Sequence, residues 1–253
     1  MDRSGSTGVY ELSRTLEYVA SGTSYMRLSN PQVSQSPENV AMIRDLFGKF
    51  VHNHNSHTFS VLYNAFQEKS FGERFQPYVG AIHNIHADSG GLQIVTLGKK
   101  ITDELKEQIY YNQAKSADVG MCFDEIPVVL SNGRSDRNDV SARYWDAENH
   151  EEMARKTGRN VKRQLEIIVE QNSKCRPFII LQGNCYDTYM SWAEQLLSQV
   201  PQELQSRIGG IAMGAAALGT GPLEDVKRAF IASQIPLRNE EGKLHLHILC
   251  LIA

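Results

Sequence analysis

The stretch "RPFIILQGNCYDTYMSWAEQLLSQV", Arg176 to Val200, decides the fold. Its first part is apolar at consecutive positions and ends on Gln182 and Gly183, the pattern of a strand buried on both faces. Its second part carries Tyr189, Ala193, Leu196 and Val200 on one helical face. A buried strand, a short polar turn and an amphipathic helix make half of a βαβ unit, and the same alternation recurs on both sides. "TFSVLYNAF", "YVGAIHNIHA", "DVGMCFDEIPVVL", "RIGGIAMG" and "KLHLHILCLIA" supply five further candidate strands. "TDELKEQIYYNQAKSA" places Ile101, Leu105 and Ile109 four residues apart, with Asp103 and Glu104 in the first turn, where the helix dipole favours acids. "EEMARKTGRNVKRQLEIIVEQN" places Val161, Leu165 and Ile168 on one side of a second helix. Six strands alternating with helices predict a parallel α/β sheet, either open and doubly wound or closed toward a (β/α)8 barrel.

Composition bounds the rest. A chain of 253 residues, 41% apolar, buries a core large enough for one α/β domain of barrel size. Residues 1–38 are rich in Ser, Gly, Thr, Asn and Gln and read as a flexible or loosely packed lead-in, with the domain over 39–253. A net charge of −3 gives no overall basic field, so contact with nucleic acid would need a local patch. Cys122, Cys175, Cys185 and Cys250 stand far apart, without the spacing of a disulfide framework or a structural zinc site. Reduced thiols and a cytoplasmic location are expected. No apolar run approaches the eighteen or so residues of a membrane span.

The polar residues that carry chemistry follow the ends of the strand patterns, where parallel α/β folds gather their active-site groups. Asp88 and Ser89 follow the second run, Asp124 and Glu125 the third, and Gln182 and Gly183 the fourth, while Gly209 and Gly210 lie within the fifth. Any one of these could be a helix cap or a turn residue. Four successive strands aiming such groups at one mouth is the stronger reading.

These stretches resemble the tRNA-guanine transglycosylases. "DSGGLQ" is similar to their "DSGGFQ", "MCFDE" to "FDE", "ILQGN" to "QGG" and "IGGIAMG" to "GGLAVG", in the same order from Phe59 onward. "FDEIP", "KTGRNVKRQLE" and "HLHIL" resemble a viral and bacterial branch that inserts 7-deazaguanines into DNA. The resemblance implies a (β/α)8 TIM-type barrel, incomplete at the C-terminus with about six strands present. It also implies exchange of guanine for a 7-deazaguanine of the 7-cyano type through a covalent glycosyl-enzyme intermediate. The partners implied are DNA, or tRNA as the alternative, and a free 7-deazaguanine base, with no cofactor. Base exchange proceeds like a retaining glycosidase and needs two carboxylates.

By the same resemblance, Asp88 is the general acid/base on the leaving and entering purine, and Ser89, Gly90 and Gly91 bring the backbone close to the base. Asp124 accepts from the guanine N1 and 2-amino groups, an acceptor-only carboxylate facing two N–H donors. Gln182 and Gly183 reach the 6-oxo group or the 7-substituent, and the backbone at Gly209, Gly210 and Ile211 donates to O6. A stacked target base must first be flipped out. The family's nucleophilic aspartate and zinc ligands have no counterpart in the 253 residues. The readings left open are a truncated chain, one part of a split gene, or a catalytically incomplete partner that binds the base or nucleic acid, with a homodimer or a complementing subunit as the assembly.

Other features are weighed against plainer explanations. His52, His54 and His57, and His245 with His247 on one strand face, lack Cys or carboxylate neighbours at ligand spacing, so no metal site is expected. His83 and His86 are better placed to hydrogen-bond groups around Asp88. "GAAALGTG" has Thr220 where a phosphate-binding loop has lysine, though the helix start near Pro222 could cradle one phosphate. Arg155, Arg159, Lys162 and Arg163 share a helix face, which is either solvated or a track for nucleic-acid phosphates.

Overall fold

The structure is a computed structural model that describes residues 16–21, 36–38, 41–42, 45, 57–67, 84–91, 100–130, 143–145, 147–214, 222–238, 242 and 245–248. The expectations on His52, His54, His83, the loop at 215–221 and Cys250 lie outside the described residues, as does the His57 side chain.

The chain runs β1 (Leu16–Ser21), β2 (His57–Asn64), β3 (Ile85–Asp88), α1 (Asp103–Ser116), β4 (Val119–Met121), β5 (Val128–Leu130) and β6 (Arg143–Trp145). It continues through α2 (His150–Glu170), β7 (Arg176–Leu181), α3 (Tyr186–Leu197), the single turn α4 (Gln202–Gln205), β8 (Gly210–Met213), α5 (Pro222–Gln234) and β9 (Leu246–Ile248). Seven strands form one sheet in the order β1-β2-β3-β4-β7-β8-β9, and every neighbouring pair is parallel. The fold is α/β, as the alternation predicts.

The sheet is curled. β3 and β9 are four places apart, which in a flat sheet would separate them by about 19 Å. Yet the rings of His86 and His247 stand 5.7 Å apart, so the strands bend round to face one another as in part of a barrel.

All six expected strands lie in this sheet, with two differences from the sequence reading. β1 falls inside the stretch read as a loose lead-in, yet "LEYVAS" pairs with β2 at six positions from Leu16↔His57 to Ser21↔Leu62. Its surroundings of Ser, Gly and Thr hid a strand whose partner lies about forty residues on. The third run divides: β4 stops at Met121, and Val128–Leu130 leaves the sheet to pair antiparallel with β6. Pro127, which has no N–H to give a ladder, stands at that break.

The helices form where their patterns put them. Thr102 caps α1 by accepting from the Leu105 N–H at 3.2 Å. Val161 and Leu165 of α2 and Tyr189, Ala193 and Leu196 of α3 are buried, joining β4, β7 and β8 to the helix layer, while the buried Ile168 packs with β2, β3 and α1. Trp192, fully buried, donates its indole N–H to the Ile180 carbonyl at 3.0 Å and ties α3 to β7. Cys122, Cys175 and Cys185 are free thiols. No helix among the described residues is long and apolar enough to cross a membrane.

Candidate active site at the carboxyl ends of the strands

Parallel pairing puts the carboxyl ends of β3, β4, β7 and β8 side by side, and residues at or within three positions of those ends carry the site. Asp88 ends β3, Asp124 lies three residues beyond β4, Gln182 follows β7 and Gly214 follows β8. The Cys122 N–H donates to the Phe178 carbonyl at 2.9 Å, so the ladder continues one step past β4 toward Asp124.

The "DSGG" turn folds back on its own acid. The N–H groups of Gly90 and Ser89 donate to the Asp88 carboxylate. Gly90 has φ +75, and a Cβ there would meet the Asn64 side chain at 2.6 Å, so glycine is required. Asn64 in turn accepts from the N–H groups of Phe66 at 3.0 Å and Gln67 at 3.2 Å, fixing the loop after β2. The Gly91 N–H donates to the Ser89 hydroxyl at 3.4 Å, and Gly91 packs against Asp124, where a Cβ would lie 3.7 Å from its carboxylate.

Across the mouth the Gln182 amide Nε2 donates to Asp124 Oδ2 at 2.7 Å. That carboxamide rests on Gly214, where a Cβ would overlap it at 2.5 Å from Cδ. Gly214, the last residue of "IGGIAMG", is the site residue that the sequence reading passed over in favour of the first two glycines of that motif.

Burial pushes Asp124 up to about 7, against the Gln182 hydrogen bond and with help from the charge of Asp88. Burial also raises Asp88, opposed by the Gly90 and Ser89 N–H groups. A pair of desolvated, mutually repelling carboxylates is the arrangement that holds a proton near neutrality.

Behind Asp124 the helices clamp its neighbours. Asn160 Nδ2 donates to the Phe123 carbonyl at 3.0 Å, and the Glu125 N–H donates to Thr157 Oγ1 at 3.0 Å. Lys106 Nζ bonds Glu125 at 2.7 Å, so Glu125 serves the clamp and not the mouth. Thr157, Asn160 and Gln164 were missed; their signal is a polar row on the apolar side of α2, all three buried.

Several expected site residues lie elsewhere. Gly209 and Gly210 stand at the start of β8, Gly210 level with Phe178 of β7, four positions before Gln182. At about 3.3 Å per residue that is roughly 13 Å from the mouth. Their lack of side chain makes room for Arg176 and Phe178, and the Ile211 N–H already donates to the His245 carbonyl at 2.8 Å. The expectation that this backbone donates to a bound base is therefore corrected. Gly183 adjoins the mouth, but its missing Cβ accommodates the Tyr189 ring.

Four cations of α2 are paired with acids: Arg155 and Arg159 with Glu152, Lys162 with Glu166, and Arg163 with Glu107 and Glu170. His86 is buried against His247, two residues below Asp88 on the same strand face. Among the described residues no group of three His, Cys, Asp or Glu could hold a metal ion.

No protein-family model and no curated protein matches this chain.

Proposed function

We propose that this chain is a guanine transglycosylase that exchanges guanine in DNA for a 7-deazaguanine, and that its curled sheet is part of a (β/α)8 barrel. The observation that carries the reading is the meeting of three separate motif residues at one mouth: Asp88, Asp124 and Gln182, with Gln182 bonded to Asp124 at 2.7 Å. A nucleophilic carboxylate other than Asp88 and Asp124 bonds to the sugar carbon as the bond from that carbon to the purine nitrogen breaks, and is displaced in turn by the incoming base. Asp88, whose desolvated carboxyl holds a proton more readily than a free one, protonates the departing purine. It recovers that proton from the incoming base. Asp124 keeps Oδ1 for the N–H edge of the base while Oδ2 is held by Gln182. DNA is delivered with the target base flipped out of its stack.

The test is mass spectrometry of nucleosides from DNA and tRNA of cells expressing the chain or its Asp88→Asn variant. The reading expects a 7-deazaguanine nucleoside in DNA that vanishes with the variant. Modified tRNA with unmodified DNA would move the substrate to tRNA.

A second reading makes the chain a base-binding subunit whose nucleophile comes from another polypeptide. It is favoured by the engagement of both mouth carboxylates, Asp88 by backbone N–H groups and Asp124 by Gln182. A purified chain that incorporates labelled guanine into DNA unaided eliminates it.

A further inference from the structure

The Gln182 carboxamide is half used. Its Nε2 donates to Asp124, while its Oε1 is buried and has no hydrogen-bond partner. A buried amide oxygen left open is costly unless a ligand supplies the donor. With Asp124 ionised the orientation is forced, because a carboxylate can only accept and only the amide nitrogen can donate to it. The pocket is then shown an acceptor, which repels the 6-oxo group of guanine.

A proton on Asp124 reverses this. A carboxylic acid donates through its O–H, so it would pair with Gln182 Oε1 and turn Nε2 outward as a donor. The two orientations fill the same outline: the carboxamide lies face-on over Gly214, with Cδ and Oε1 both 2.5 Å from where a Cβ would be. Exchanging O for N needs no new space.

We infer that the protonation of Asp124 sets whether Gln182 reads an acceptor or a donor on the bound base. The inference rests on the base-exchange reading above. Guanine, with its 6-oxo acceptor beside an N1–H donor, is bound with Asp124 protonated: the acid O–H holds Gln182, Nε2 donates to O6, and the remaining Asp124 oxygen accepts from the base. The titratable groups facing Asp124 are Asp88 of β3, Glu125 and Cys122 of its own segment, and Tyr110 of α1. From β7 and β8 it meets the neutral Gln182 and Gly214. Asp88, as a second carboxylate, favours retention of that proton; Glu125 is already paired with Lys106.

The test is equilibrium dialysis of radiolabelled guanine against the purified chain between pH 6 and pH 8. Asp124→Asn copies the protonated acid, since its amide nitrogen donates to Gln182 Oε1 and its oxygen still accepts from the base. For the wild type, affinity falls about tenfold from pH 6 to pH 8, as expected when only the form protonated with a pKa near 7 binds. Asp124→Asn binds within about threefold of the wild-type affinity at pH 6 and shows no pH dependence over the range.

Flat wild-type affinity together with loss of binding in Asp124→Asn would overturn the inference and leave the base-exchange reading standing. If the wild type binds no guanine at any pH, that reading fails. The side-chain amide resonance of Gln182 in the 15N-labelled free chain then decides the inference by itself. Titration with Asp124 near pH 7, absent in Asp124→Asn, supports the coupled pair, and a fixed resonance refutes it.

Discussion

Two polar clusters flank β4, and they are built on opposite terms. On the helix side, Gln113 Nε2 donates to the carbonyls of Ala87 and Met121 at 3.1 and 2.8 Å, and Gln164 Nε2 to Gln113 Oε1 at 2.7 Å. Lys106, Glu125 and Asn160 extend it as a neutralised ion pair bonded to backbone. Of the side-chain atoms of Gln113, Gln164, Lys106, Glu125 and Asn160, Gln164 Oε1 is the one left open among the described residues. At the mouth, two carboxylates of like charge face each other, and no cation pairs with either among the described residues. The first arrangement holds strands and helices in register; the second raises two acids and leaves a buried acceptor open. Buried polar groups that satisfy one another stabilise, and groups left strained by charge point to chemistry.

The comparison is broken most sharply by Asp88→Asn. The substitution keeps shape and removes the proton, so exchange falls by about 10²–10⁴-fold with thermal stability preserved. Retained activity would remove Asp88 from the chemistry. Gln113→Leu strikes the other cluster. It removes the donor to the Ala87 and Met121 carbonyls and the Gln113 acceptor of Gln164, at a cost of about 2–4 kcal/mol in urea unfolding. A cost below about 1 kcal/mol would show that the helix-side layer is not what holds β3 to β4.

The pH dependence of stability reports on the mouth. An aspartate unfolded titrates near 3.9, whereas Asp124 in the fold is pushed up to about 7. The folded chain therefore holds a proton that the unfolded chain has released, and stability declines as pH rises through that window. One such group removes about 2 kcal/mol between pH 5 and pH 7, measured by urea unfolding at the two values. Asp124→Asn should lose distinctly less, and an unchanged slope would contradict the mouth as a proton store.

Gly214→Ala displaces the Gln182 carboxamide, and guanine affinity should fall by about tenfold, roughly the worth of one hydrogen bond at a buried polar group. Full affinity would show that Gln182 does not depend on its seat. The smallest effect belongs to the surface of α2: Arg159→Ala, which removes a half-exposed cation paired to Glu152 at 3.1 Å, should change stability by less than about 1 kcal/mol. A fall in the salt dependence of DNA binding in that variant would place a phosphate on this face.

The alternation of apolar runs and helix stripes was enough to read the parallel sheet, because strands buried on both faces and helices with one apolar side leave local signatures. β1 was not legible, since six residues of ordinary polarity become a strand only through pairing with β2. The mouth was legible at Asp88, Asp124 and Gln182, each next to a strand end. The sequence misdirected at Gly209, Gly210 and Ile211, where the start of β8 was taken for its functional end. Local pattern marks a strand but not which glycine the neighbouring Gln182 will press against. The clamp of Thr157, Asn160 and Lys106 was illegible for a similar reason: its partners are backbone groups more than thirty residues away or on another helix.

The central claim, that the mouth exchanges a purine base, is tested most directly by incubating the purified chain with duplex DNA and radiolabelled guanine. Incorporation of label into DNA by the wild type, lost in Asp88→Asn and retained in Arg159→Ala, is the predicted result. No incorporation, with no saturable binding of guanine to the mouth, would contradict it.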